Sequence, residues 1–217
     1  MRLPQPPLLV ITDRRQAQRP LEDVAAAAFA GGCRWLSLRE KDLPAAERLA
    51  LLRRLVALGR DWDAIVGVHD DLAAAIEAGA GALHLPDGAP LEAARAALGA
   101  GTLIGVSAHD AAGIARAAAS GADYATISPV FASASKPGYG PALGLDGLAR
   151  MAADAVLPLV ALGGIDDSNI ADAVAAGAAV MGAVMAAADP EARVRALIAR
   201  QAPALAARNL GRHSGPC

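Results

Sequence analysis

A chain of 217 residues with 20 basic and 22 acidic side chains has a net charge of −2 and a pI near 6.1, so no overall field favours a nucleic acid or an anionic membrane as partner. Hydrophobic residues make up 54% and aromatics only 3%, which leaves the core to Ala, Leu, Val and Ile. Two cysteines, Cys33 and Cys217, are too few for a disulfide framework or a thiolate metal cluster, and no apolar run reaches the roughly 18–20 uncharged residues of a membrane span.

The opening stretch MRLPQPPLLVITDRR is apolar only briefly before Asp13, Arg14 and Arg15, unlike a secretory leader, and a cytoplasmic protein is expected. Its LLVIT (8–12) is the first strand candidate, followed by a helical pattern over 20–31. The next apolar runs are 33–39, 65–70, 82–86, 103–108, 124–130, 157–162 and 180–185. Helical patterns follow them at 44–59, 71–78, 90–98, 110–120, 145–154, 167–176 and 189–201. A phrase recurs through this series: AAAFAGGCRWLSLRE (26–40), AAIEAGAGALHLPDG (74–88), ARAAASGADYATISPVF (115–131) and AVAAGAAVMGAVMAA (173–187). In each, an Ala-rich helical end meets a glycine (Gly31, Gly79, Gly121, Gly177) expected to cap the helix, and a short apolar run follows. Near-continuous apolar strands alternating with helices predict parallel strands covered on the outside. Eight such units predict an α/β protein, a (β/α)8 TIM barrel, with an open doubly wound sheet as the alternative. Residues 1–207 read as one domain and 208–217 as a frayed tail. Cys33 reads as a small buried hydrophobe.

In a barrel the site forms where the strands end. In LSLREKD, Ser37, Arg39 and Lys41 alternate onto one face, and two cations at a strand end suit an anionic ligand. The structural alternative pairs Arg39 with Glu40 or Asp42 and leaves Lys41 in solvent. Asp70, in VHDD, reads equally as a ligand for a hard cation such as Mg²⁺ or as a helix cap. His84, in LHLPDG, is the pattern of a hydrogen-bonded core histidine, and Ser107, at the end of GVSA, is placed to touch a ligand. The long loop in SPVFASASKPGYGPALG (128–144) supplies Ser133, Ser135 and Lys136 between glycines, a composition suited to a flap over phosphate oxygens. Gly163 and Gly164, and Met185 and Ala186 at the end of the eighth run, fall where barrels form phosphate sites from backbone N–H groups.

The motifs LSLREKD, HLPDG, GVSAHD, ISPVFASASKPGYGPALGLDGL and LVALGGI resemble, in order and spacing, the thiamine phosphate synthase/TenI family from Ile11 to about Ala188. The resemblance implies a (β/α)8 barrel and thiamine biosynthesis. The synthase activity joins hydroxymethylpyrimidine pyrophosphate to hydroxyethylthiazole phosphate and releases pyrophosphate with Mg²⁺ assistance. It implies Arg39, Lys41 and Lys136 on the pyrophosphate, Asp70 on Mg²⁺, and Ser107 near the reacting centre. It further implies hydroxyl contacts from Ser133 and Ser135, and a thiazole phosphate site at Gly164, Met185 and Ala186. The chain departs from the synthase pattern at Ser37 (Gln in the family), at His69-Asp70-Asp71 (Asn-Asp-Arg), and in HLPDGA, where the second metal-binding aspartate aligns with Ala89 and Asp87 sits two residues early. HLP is similar to the TenI branch, which includes thiazole tautomerases, but Pro129 stands where those carry His. Two alternatives therefore stand beside the synthase: a tautomerase using His84 or His69 for proton transfer, and a non-catalytic binder of thiazole or thiamine phosphate. Small phosphorylated substrates are the expected partners in each, and residue type leaves a homo-oligomer open.

Overall fold

The computed structural model describes residues 2–132, 141–173 and 175–213. Eight strands pair only in parallel and close on themselves, each with its sequence neighbour and the first with the last. They are β1 (Leu8–Ile11), β2 (Trp35–Leu38), β3 (Ile65–His69), β4 (Ala82–Leu85), β5 (Leu103–Ala108), β6 (Tyr124–Ile127), β7 (Leu159–Leu162) and β8 (Gly177–Val180). Outside them lie α1 (Leu21–Ala30), α2 (Ala45–Arg60), α3 (Leu72–Ala78), α4 (Leu91–Leu98), α5 (Ala111–Ala119), α6 (Gly144–Ala153), the single turn α7 (Gly182–Met185) and α8 (Pro190–His213). The strands are apolar on both faces because both faces are buried: one packs under the helices and the other fills the barrel. Leu9, Ile11, Trp35, Ala82, Leu103, Tyr124, Val160 and Ala179 fill it, with Leu3 against them. Cys33 is fully buried, and burial pushes its thiol up to about 11, so it packs as a hydrophobe. Among the described residues no helix is long and apolar enough to cross a membrane.

The register fixes which side chains enter the mouth. Ser37 pairs with Gly67 and Gly67 with Ala82; His69 pairs with His84, His84 with Gly105, and Gly105 with Tyr124. These residues share the inward parity of Trp35 and Leu103, so Arg39, Ser107 and Thr126 continue the same inward rows toward the strand ends.

Three expectations fail on the last units. The pattern over 167–176 is not a regular helix: through residue 173 it is a series of turns, and β8 begins at Gly177. Polar side chains compete here with the backbone ladder. Asp166 accepts from the backbone N–H and the hydroxyl of Ser168, while Asn169 accepts from the Asp166 N–H and donates to the Gly164 carbonyl. The eighth strand is accordingly 177–180 rather than 180–185, and Gly177 opens a strand instead of capping a helix. Of the other expected caps, Gly79 ends α3 in the left-handed region at φ 62°, and Gly121 follows α5 at φ 82°. Gly31 is right-handed, and its neighbour Gly32 takes the positive φ.

Candidate active site

A cavity of about 820 Å³ opens at the C-terminal ends of the strands. Arg39 and Lys41 line it together, as their alternation in LSLREK requires. Their expected competitors are occupied elsewhere. Glu40 is buried and accepts from the Thr12 hydroxyl at 2.8 Å and from the Arg14 backbone N–H at 3.1 Å. Burial pushes the Glu40 carboxyl above its usual range, against the lowering effect of those two donors. Asp42 pairs with Arg14 at 2.6 Å and Arg15 at 2.9 Å. The Thr12 hydroxyl also accepts the Arg39 backbone N–H at 3.0 Å, so one polar cluster from the end of β1 fixes the end of β2. Among the described residues neither Arg39 nor Lys41 has an ion pair, which leaves both charges to the cavity.

The two adjacent aspartates after β3 separate their roles. Asp71 caps α3, accepting from the Ala74 N–H, and is bound by Arg48 at 2.6 Å. Asp70 lines the cavity with its backbone at φ 54°, its N–H donating to the His84 carbonyl at 2.8 Å. Asp87 reaches the same cavity but pairs with Arg116 at 2.7 Å. Among the described residues there is no cluster of three or more His, Cys, Asp or Glu side chains arranged as a metal cage. Four carboxylates line the cavity: Asp13 accepts from Gln16, Asp87 pairs with Arg116 and Asp166 accepts from Ser168, which leaves Asp70 as the one with no side-chain partner among the described residues. That set fits Mg²⁺, which keeps few carboxylate ligands and completes its shell with water and substrate phosphate oxygens.

At the floor of the cavity His84 is buried, Nδ1 lying 3.1 Å from the Tyr124 hydroxyl and Nε2 lying 3.0 Å from Ser107 Oγ. Burial, with the charges of Arg39 and Lys41, lowers its pKa to about 3. A ring held at both nitrogens, its basicity lowered by burial, is poorly placed to shuttle protons, which disfavours His84 as the tautomerase base. His69 stacks on it at 4.6 Å between ring centroids and lines the cavity, as does Ser107. Ser37 is not among the lining residues: it is buried in the barrel beside Ile11, which does line the cavity.

Gly163 and Gly164 line the opposite wall at φ 103° and 62°. A Cβ on Gly163 would lie 2.9 Å from Pro129 Cα, and one on Gly164 would lie 2.5 Å from the Ala132 carbonyl oxygen, so backbone geometry and space both demand glycine. Met185 and Ala186 are not at this wall. Their N–H groups donate to the carbonyls of Met181 and Gly182 within α7, and Met185 is buried against the outer core. The eighth strand ends five residues earlier than its apolar run, so Met181, Gly182 and Ala183 line the cavity instead. Ser133, Ser135 and Lys136 lie outside the described residues.

Sequence reasoning missed Asp13, Gln16, His109, Tyr124 and Asp166. The first three and Asp166 line the cavity, Gln16 donating to Asp13 at 2.6 Å and the His109 ring bonding the Ser128 carbonyl at 2.8 Å. Asp13 follows LLVIT directly, so reading the end of β1 as the other strand ends were read would have found it. Tyr124 lies deep in β6, and only the register brings it to His84.

A closed parallel barrel whose strand ends bring free cations, a carboxylate, a hydroxyl and a glycine turn to one cavity is the build of a barrel enzyme acting on a small anionic substrate. The family model described as thiamine monophosphate synthase matches residues 8–187. The chain is similar to a thiamine-phosphate synthase of Methanoculleus marisnigri, 42% identical over 204 residues that cover 92% of this chain and 97% of that one. It is likewise similar to a thiamine-phosphate synthase of Myxococcus xanthus, 42% identical over 200 residues covering 90% and 92%. Among solved structures, a thiamine phosphate pyrophosphorylase from Pyrococcus furiosus superposes with a TM-score of 0.82 at 29% identity, covering 91% of this chain and 96% of its own. The chain belongs to the thiamine monophosphate synthase family.

Proposed function

We propose that the chain condenses hydroxymethylpyrimidine pyrophosphate with hydroxyethylthiazole phosphate, giving thiamine phosphate and pyrophosphate in the cytoplasm. The bond from the pyrimidinylmethyl carbon to the pyrophosphate oxygen breaks with its electron pair going to pyrophosphate. The lone pair of the thiazole nitrogen then fills that carbon. The chemical demand is for stabilisation of the charge that develops on the leaving group. Arg39 and Lys41 meet it as fixed cations on a short, braced strand end, with no carboxylate among the described residues neutralising them. Asp70 would hold Mg²⁺, with Asp87 joining by exchange from Arg116; the ion supplies further charge neutralisation at the leaving pyrophosphate when bound. Ser107 offers its hydroxyl at the floor of the cavity, and the wall formed by Gly163, Gly164 and the Met181–Ala183 turn lets the second phosphate approach backbone closely.

What supports the assignment of roles is the convergence of Arg39, Lys41, Asp70, Ser107 and Gly164 on one cavity in a chain of this family. The tautomerase and the non-catalytic binder have no comparable support, since the family model and the relatives are described as synthases. The test is to mix the purified protein with both substrates and Mg²⁺ and to measure pyrophosphate release. Turnover that needs all three components is expected. No release above blank, beside a working synthase control, would overturn the reading.

A further inference from the structure

The Tyr124 hydroxyl is buried inside the barrel, and among the described residues its hydrogen-bond partner is Nδ1 of His84. Trp35 packs edge-on to the phenol ring with centroids 4.8 Å apart, but its indole N–H has no partner among the described residues and does not serve the hydroxyl. Gly105 lies against the ring: a Cβ there would sit 2.0 Å from Tyr124 Cζ, so the ring is confined on that side. A buried hydroxyl proton with no acceptor carries the full penalty of its lost hydration, so the phenol proton goes to the acceptor within reach. Burial raises the Tyr124 pKa, which keeps that proton on the oxygen.

A neutral imidazole has one donor and one acceptor nitrogen. If Nδ1 accepts from Tyr124, the ring proton is on Nε2 and is donated to Ser107 Oγ at 3.0 Å. Thr126 Oγ1, at 3.4 Å from the same nitrogen, is too distant for a strong bond in either tautomer and does not decide between them. With one lone pair of Ser107 taken by His84, the serine's own proton is left for the cavity that Ser107 lines. In the opposite tautomer the Ser107 proton would instead be spent on Nε2.

We propose that Tyr124 is a positioning residue: it fixes His84 as the Nε2–H tautomer, and through it presents the Ser107 hydroxyl to the substrate as a hydrogen-bond donor. The substrate atom meeting that hydroxyl then offers a lone pair. The identity of the substrate rests on the synthase reading; the tautomer does not.

The test is ¹⁵N NMR of the histidine rings in the full chain near neutral pH, with His84 assigned by its loss in His84→Gln. A pyridine-like Nδ1 and a pyrrole-like Nε2 are expected. The reverse pattern, or protons on both nitrogens, would overturn the proposal without reference to turnover. In Tyr124→Phe the Nε2–H preference is expected to relax, and kcat for pyrophosphate release to fall about tenfold, the worth of one lost hydrogen bond to a positioned group, with little change in KM. Wild-type kcat in a folded Tyr124→Phe protein would end the positioning role. Absence of turnover in the unsubstituted protein would count against the synthase reading, and the ring nitrogens would still decide the tautomer.

Discussion

Asp70 and Asp71 are neighbours of one type with unlike tasks, and the backbone separates them. Asp71 is spent on α3, capping its first turn and pairing with Arg48. Asp70, turned by its left-handed φ of 54°, is left at the cavity. The sequence offered metal ligand and helix cap as equal readings of Asp70, because the composition of VHDD does not say which carboxylate the helix start takes. Asn tolerates the left-handed region nearly as well as Asp, so Asp70→Asn should leave stability within about 0.5 kcal/mol. Its rate of pyrophosphate release should fall at least tenfold, roughly, and require more Mg²⁺ for half-maximal activity. A Mg²⁺ titration that superposes on that of the unsubstituted protein would remove Asp70 from the metal site.

At the scale of elements, the strand-and-helix alternation was legible through the first six units because each apolar run is bounded by a glycine, proline or carboxylate signal. The alternation in LSLREK likewise placed Arg39 and Lys41 on the inward row. What the pattern could not carry was the brace. Glu40 stands far in sequence from Thr12 and Arg14 and meets them only because β1 pairs with β2. Reading also stumbled after β7, where AVAAGAAVMGAVMAA suits helix and buried strand equally, and where Asp166, Ser168 and Asn169 hold turns with their own side chains. Glu40→Ala tests the brace. It leaves the Thr12 hydroxyl and the Arg14 N–H without their acceptor and should cost about 1–3 kcal/mol in chemical denaturation. It should also weaken pyrophosphate binding, since the Arg39 backbone is tied to the same threonine. Undiminished pyrophosphate affinity in calorimetry would show that the cations hold their place without it.

The closed barrel follows from the number of strands and their two-sided burial, and both were countable in the sequence. The reach of Asp87 to Arg116 and the contact of His84 with Tyr124 were not, because they depend on how neighbouring units pack and on register. One of these reaches the stability of the whole fold. Burial holds the His84 pKa at about 3, against about 6.5 for an exposed ring. Between those values the unfolded chain binds a proton that the native chain refuses, so this contribution is complete above about pH 6.5 and is lost as pH falls toward 3. Glu40, raised by burial, contributes with the opposite sign, so the comparison needs His84→Gln, which lacks the titration. Urea denaturation across that window should show the unsubstituted protein losing up to ~1.4 kcal/mol per pH unit more than the variant. Parallel pH dependences would mean that the ring takes up its proton in the folded state.

The backbone around Gly163 also divides the chain by how freely it can vary. Val130 and Phe131 donate their N–H groups to Leu162 and Gly163, and Leu143 and Gly144 donate theirs to Pro129 and Val130. The first stem is thus stitched to the end of β7, and the second to the first. Either glycine of the pair is locked by contact and conformation together. Within a lineage, drift would therefore spare these two positions.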